Sequence, residues 1–145
     1  MGYQLIYNSS FKDIDENTIN IEIYRDSGGT LIASELLCSA DAVSINYESD
    51  DDVFKPIKCS DCQINVLTTK VLANLYTALG NQIYCTISKN GSLLWCGYSV
   101  PCLYSTDYNE EYNLLSLQFN DILSSLSNYN LSLIHISEPT RPLYI

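Results

Sequence analysis

The chain has 145 residues, 46% hydrophobic and 17% charged, which suits one domain with one ordinary core rather than a disordered segment. A net charge of −10, with seven scattered lysines and arginines, excludes the basic face that releases counterions from nucleic acid. No run approaches the roughly 20 apolar residues of a membrane helix, so no membrane insertion is expected.

Twelve tyrosines, against one tryptophan and three phenylalanines, favour β structure with amphipathic surfaces. The N-terminal MGYQLIYNSSF lacks the basic and apolar regions of a secretion signal, and Ile6 stands where a myristoylation motif wants Ser or Thr. The six cysteines therefore read as free thiols in a reducing compartment.

Period-two patterning sets the elements. YQLIYNSSF (residues 3–11) and TINIEIYRD (18–26) alternate, joined by the polar KDIDEN. In the second segment Ile19, Ile21 and Ile23 share a face, with Asn20, Glu22 and Tyr24 opposite. SGGT (27–30) predicts a hairpin, with LIASELLCS (31–39) as its return strand and AVSINYE (42–48) next. ESDDDVFKPIK (48–58) packs four acids into five residues. It lacks the alternating acids, turn glycine and distal glutamate of a calcium loop, so it reads as a solvated connection.

CSDCQINVLTT (59–69) supplies another strand. Its Cys59 and Cys62 form a Cys-x-x-Cys, but no second ligand pair follows for zinc and no helix follows for a redox motif. Extended backbone turns these two thiols to opposite faces, and buried or half-buried thiols are the favoured reading. KVLANLYTAL (70–79) predicts the one short helix, with Val71, Leu75 and Leu79 at spacing four and Gly80 as its stop. QIYCTIS (82–88) and SLLWCGYSV (92–100) flank Asn90-Gly91, the strongest short hairpin signal. The loop PCLYSTDYNEEY (101–112) leads to the strand NLLSLQFND (113–121), and ILSSLSN (122–128) predicts a helical turn. The sum is a mainly β domain: an antiparallel barrel or sandwich of about seven strands with one short helix.

Catalytic chemistry is sparse. No Gly-x-Ser-x-Gly elbow or phosphate loop occurs, no metal or cofactor set is legible, and His135 is the sole histidine, so no enzymatic activity is expected. The recognition candidates are aromatic: Trp95 and Tyr98 on one segment, then Tyr104, Tyr108 and Tyr112 in the following loop. They suggest a protein interface before a sugar platform. Gly97, between Trp95 and Tyr98, would let a neighbouring backbone or ring approach closely.

His135 belongs to LSLIHISEPTR (131–141), which resembles, residue for residue, the translation of a transposase-type sequencing-library adapter. In that frame three index-dependent residues follow, here Pro142, Leu143 and Tyr144, and then isoleucine, which is Ile145. Residues 131–145 are therefore read as an adapter-derived tail and set aside. Residues 1–130 are then the natural sequence, the N-terminal fragment of a longer chain.

With that tail removed, three stretches stand out: LLCSADAVSINYESDDDVFKPIKCSDCQINV, IYCTISKNGSLLWCGYSVPCLYS and YNLLSLQFNDILSSLSN. Together they resemble the N-terminal region of large tail proteins in phages and prophages of gut Bacteroidetes, including crAss-like phages, over nearly all of residues 3–128. The hairpin with its Gly-Tyr is similar, more loosely, to baseplate hub proteins at the tail tip. The resemblance implies a structural module of the virion tail, assembled in the bacterial cytoplasm. Its partners would be other tail and baseplate proteins or copies of itself in a homo-oligomeric ring. The alternative is a glycan- or peptide-binding β domain of a receptor-binding or tail-associated lytic protein. Several positions where apolar or hydroxyl residues are expected carry cysteine here.

Overall fold

Alternating apolar and polar residues can bury one face of a strand and leave the other wet, and that pattern builds most of this molecule. The computed structural model describes residues 2–47, 58–77, 79–100 and 112–125. Most of the acidic connection, Tyr104 and Tyr108, and residues 131–145 lie outside them.

The strands are β1 (Gly2–Lys12), β2 (Thr18–Ser27), β3 (Ser34–Glu35), β4 (Leu37–Tyr47), β5 (Ser60–Thr68), β6 (Ile83–Lys89), β7 (Ser92–Ser99) and β8 (Asn113–Asp121). A 3-10 turn, Ala73–Leu75, precedes β6, and a four-residue α1 (Ile122–Ser125) follows β8. All eight strands join one sheet in the order β3-β1-β2-β6-β7-β8-β5-β4. Neighbours are antiparallel except β1 with β3, which are parallel. The domain is mainly β, as its patterning predicts. Its described residues form eight strands rather than about seven, in one mixed, open sheet rather than a closed barrel or two separate sheets.

The inward face of β2 (Ile19, Ile21, Ile23) and of β6 (Ile83, Cys85, Ile87) shares one buried cluster with β5 (Cys62, Ile64, Val66) and β8 (Leu115, Leu117, Phe119). The Asn90-Gly91 hairpin forms as predicted: both residues have positive φ, 51° and 81°, as a type I′ turn requires.

Two expectations are corrected. SGGT starts no hairpin, because the free side of β2 is taken by β6. Residues 31–36 instead run beside β1: Leu31 N donates to Gln4 Oε1 (3.1 Å), and Ser34 and Glu35 pair with Tyr7 and Asn8. The helix predicted over 70–79 shrinks to the three-residue turn. Its buried leucines are Leu72 and Leu75, three apart, while Val71 and Leu79 are exposed. Threonine hydroxyls hold the backbone at both ends: Thr68 Oγ1 accepts from Lys70 N (3.1 Å) and Thr77 Oγ1 from Leu79 N (3.2 Å). Such local bonds compete with helical ones.

Among the long strands the pairing is shortest between β7 and β8, which meet through Gly97–Ser99 and Phe119–Asp121, with Val100 N donating to Gln118 O just beyond (3.0 Å). There the two limbs of the sheet come together. A Cβ on Gly97 would overlap the Asn120 carbonyl of β8 and the Trp95 ring. Beside it Trp95 Nε1 donates to Ser60 Oγ (3.0 Å), and Ser60 donates through N (2.8 Å) and Oγ (3.0 Å) to Asp121 Oδ2. The other carboxylate oxygen, Asp121 Oδ1, accepts from Ser124 N (2.6 Å) and caps α1.

Gly97→Ala is expected to destabilise the fold by about 3 kcal/mol in urea titration, since backbone cannot yield as a flexible side chain can. Gly28→Ala, in open space, should stay within about 0.5 kcal/mol. Ser60→Ala strands the Trp95 N–H inside the protein and should cost about 1–3 kcal/mol, with the single tryptophan's fluorescence reporting the melt.

Candidate functional site

The residues of β2, β6 and β7 that alternate with the core-facing ones form the opposite, outer face of the sheet. Register places Tyr24 beside Tyr84 and Tyr84 beside Tyr98, one tyrosine from each of three adjacent strands. Ring centroids lie 6.3 Å apart for the first pair and 5.3 Å for the second. Tyr3 of β1 reaches across β2, within 6.0 Å of the Tyr84 ring and 6.4 Å of Tyr98, and its hydroxyl donates to Asn81 O (2.6 Å). Four tyrosines thus make one continuous aromatic face.

Carboxylates border it. Tyr24 Oη donates to Glu22 Oε2 (2.8 Å), and Asp26, opposite Tyr3 in the register, has its Oδ1 enclosed without a hydrogen-bond donor among the described residues. Burial raises the Tyr24 hydroxyl's pKa, and the bond to Glu22 adds to it. Burial also pushes the Tyr84 hydroxyl up, helped by Cys96 and Tyr98. Both phenols therefore stay protonated near neutral pH.

The five aromatic candidates do not gather as the sequence suggests. Trp95 is 5% exposed and belongs to the core. Tyr98, three residues on, falls on the other face of β7 and joins the tyrosine face. Tyr112 is exposed just before β8. Tyr104 and Tyr108 lie outside the described residues. Sequence reasoning missed Tyr3, Tyr24 and Tyr84 as partners of Tyr98. Alternation with Ile23 and Ile83 marks Tyr24 and Tyr84 as outward, but strand order alone makes them neighbours.

Cys38, Cys59, Cys62, Cys85 and Cys96 are free thiols. Cys62 and Cys85 are core residues, while Cys59 is half-buried. Among the described residues no three of His, Cys, Asp and Glu are placed to hold a metal ion, and no helix is long and apolar enough to cross a membrane. No family model matches the chain, and no curated protein or solved structure matches it.

Burial pushes the Cys62 thiol from its ordinary 9.0 up to about 12, the nearby Asp61 charge adding to it. A folded pKa above the unfolded one means that this contribution to stability is complete below pH 9.0 and is lost as pH climbs toward about 12. The urea midpoint should fall across that window, and Cys62→Ala should flatten the fall. Iodoacetamide on the native protein should modify Cys59 well before Cys62 or Cys85.

Proposed function

We propose that this chain is a structural module of a phage tail or baseplate, hub-like, that packs through its tyrosine face against copies of itself or neighbouring tail proteins. It performs no chemistry of its own. In this reading the bent sheet acts as a barrel-like unit, and its outer surface is the working part.

The tyrosine face carries the proposal. Tyrosine offers large contact area at a low cost in side-chain entropy, because two torsions fix it, and its hydroxyl tolerates both water and burial. Neighbouring rings are tilted by 42–53°. That makes a faceted surface, better suited to interdigitating with protein side chains than to laying a sugar ring flat. The likeness of residues 3–128 to tail proteins supports the same reading. A glycan- or peptide-binding domain of a receptor-binding or tail-associated lytic protein is the alternative on the same face.

Sedimentation velocity should show concentration-dependent oligomers. The double variant Tyr3→Ser/Tyr98→Ser should weaken them about thirtyfold, the effect of losing roughly 2 kcal/mol of interface energy. A chain that stays monomeric at every concentration tested, and binds sugars on a glycan array through these tyrosines, would transfer the face to the alternative.

A further inference from the structure

The open sheet has two edges, and the chain itself carries one to the other. β3 lies on the free side of β1, β4 lies on the free side of β5, and Leu36 alone separates β3 from β4. At this crossing the limbs are stitched together. Leu36 N donates to Asn8 O (2.8 Å), Leu37 and Cys38 pair with Leu67 and Val66, and Cys38 Sγ donates to Ser9 Oγ (3.3 Å).

Past Cys38 the edges part. β4 shifts register between Cys38 and Val43, so residues 39–42 bulge opposite Asn65, whose side-chain amide donates to Asp41 O (2.9 Å). β1 runs straight on through Ser10 and Lys12. These share the parity of Asn8, so their backbone groups point away from β2 and into the gap. Among the described residues no strand pairs with β1 there, nor with the outer side of β4.

The gap is a groove of about 1110 Å³ lined by residues 9–15 and 35–45. Ile19 and Ile87 of the core form part of its lining, and Leu37 and Leu94 stand 60% and 49% exposed along it. Its titratable lining is lopsided: Asp13, Asp15, Glu35 and Asp41 against Lys12. Lys89 Nζ lies 3.3 Å from Asp13 and offsets one of the four. Antiparallel steps from β1 round to β4 leave those two strands running in the same sense. One added strand can therefore run antiparallel to both.

We propose that this seam receives an extended strand from a partner protein in which apolar residues alternate with lysine or arginine. Backbone bonds to Ser10, Lys12 and β4 hold the strand. Its apolar side chains cover the exposed Leu37 and Leu94, and its basic ones meet the carboxylates of the rim. A second copy of this chain, itself at −10, fits that rim poorly. The seam is separate from the tyrosine face, so the proposal stands whether or not that face assembles.

The test titrates a capped, fluorescein-labelled decapeptide of alternating valine and lysine into the full chain by anisotropy, then maps amide exchange on the complex. Binding should saturate, with protection gained at Ser10, Lys12 and residues 38–45. Affinity should fall about tenfold or more when alternate peptide nitrogens are methylated, which deletes the donors of one edge, or when glutamate replaces lysine. Tyr3→Ser/Tyr98→Ser should bind the peptide unchanged, which separates this result from any failure of tyrosine-mediated assembly. No binding at about 1 mM, equal binding of either altered peptide, or protection confined to the tyrosine face overturns the proposal. So does a seam already protected in peptide-free oligomers, which would assign it to a second copy.

Discussion

The close approach of β8 to β7 at Gly97 is the constraint on which the rest depends. The two limbs of the sheet meet there through a three-residue ladder, so the angle between them is set by a few contacts. A side chain at Gly97 would hold the Asn120 backbone away and displace the Trp95 ring, opening the core at its joint. Trp95, Ser60 and Asp121 come from β7, β5 and β8, and their hydrogen bonds tie all three strands at that place. Asp121 extends the tie to the first turn of α1. A buried indole N–H without an acceptor is costly, so this chain of bonds also fixes the position of Trp95.

The opposite side of the fold is built differently. Where β7 and β8 are joined by a tight backbone approach, the β1 and β4 edges are joined by the chain crossing at Leu36. A crossing brings two edges together at one point and lets them diverge beyond it. The result is an enclosed core, with Ile23, Ile64, Ile87 and Leu115 at 0% exposure, beside a seam where, among the described residues, no strand pairs with the outer sides of β1 and β4. Unpaired strand edges are commonly shortened or covered. A long one beside an apolar floor is a place where another strand can add.

The outer surface follows from the same register. Placing β6 between β2 and β7 aligns Tyr24, Tyr84 and Tyr98 across the strands, and Tyr3 leans over them from β1. Strand alternation was legible wherever one face is isoleucine-rich, as in β2, and wherever a turn has strict dihedral demands, as at Asn90-Gly91. It failed at Ser27–Gly29 because a glycine pair permits a tight turn without requiring one, and the pairing edge of β2 went to β6. It failed at 70–79 because the chain there buries Leu72 and Leu75, three apart, around a short 3-10 turn, and the neighbouring threonines bond their own backbone.

Local patterning therefore determined that this chain is mainly β, which residues of β2 share one face, where the tightest hairpin lies, and that Gly97 admits a close neighbour. Those properties depend on residues within a few positions of one another. Strand order is set by contacts far apart in sequence, such as Thr18–Ser27 with Ile83–Lys89, and no local pattern encodes it. Tertiary structure alone decided that Trp95 is buried while Tyr98 joins three distant tyrosines. It alone decided that β3 and β4, one residue apart, lie on opposite edges of the same open sheet.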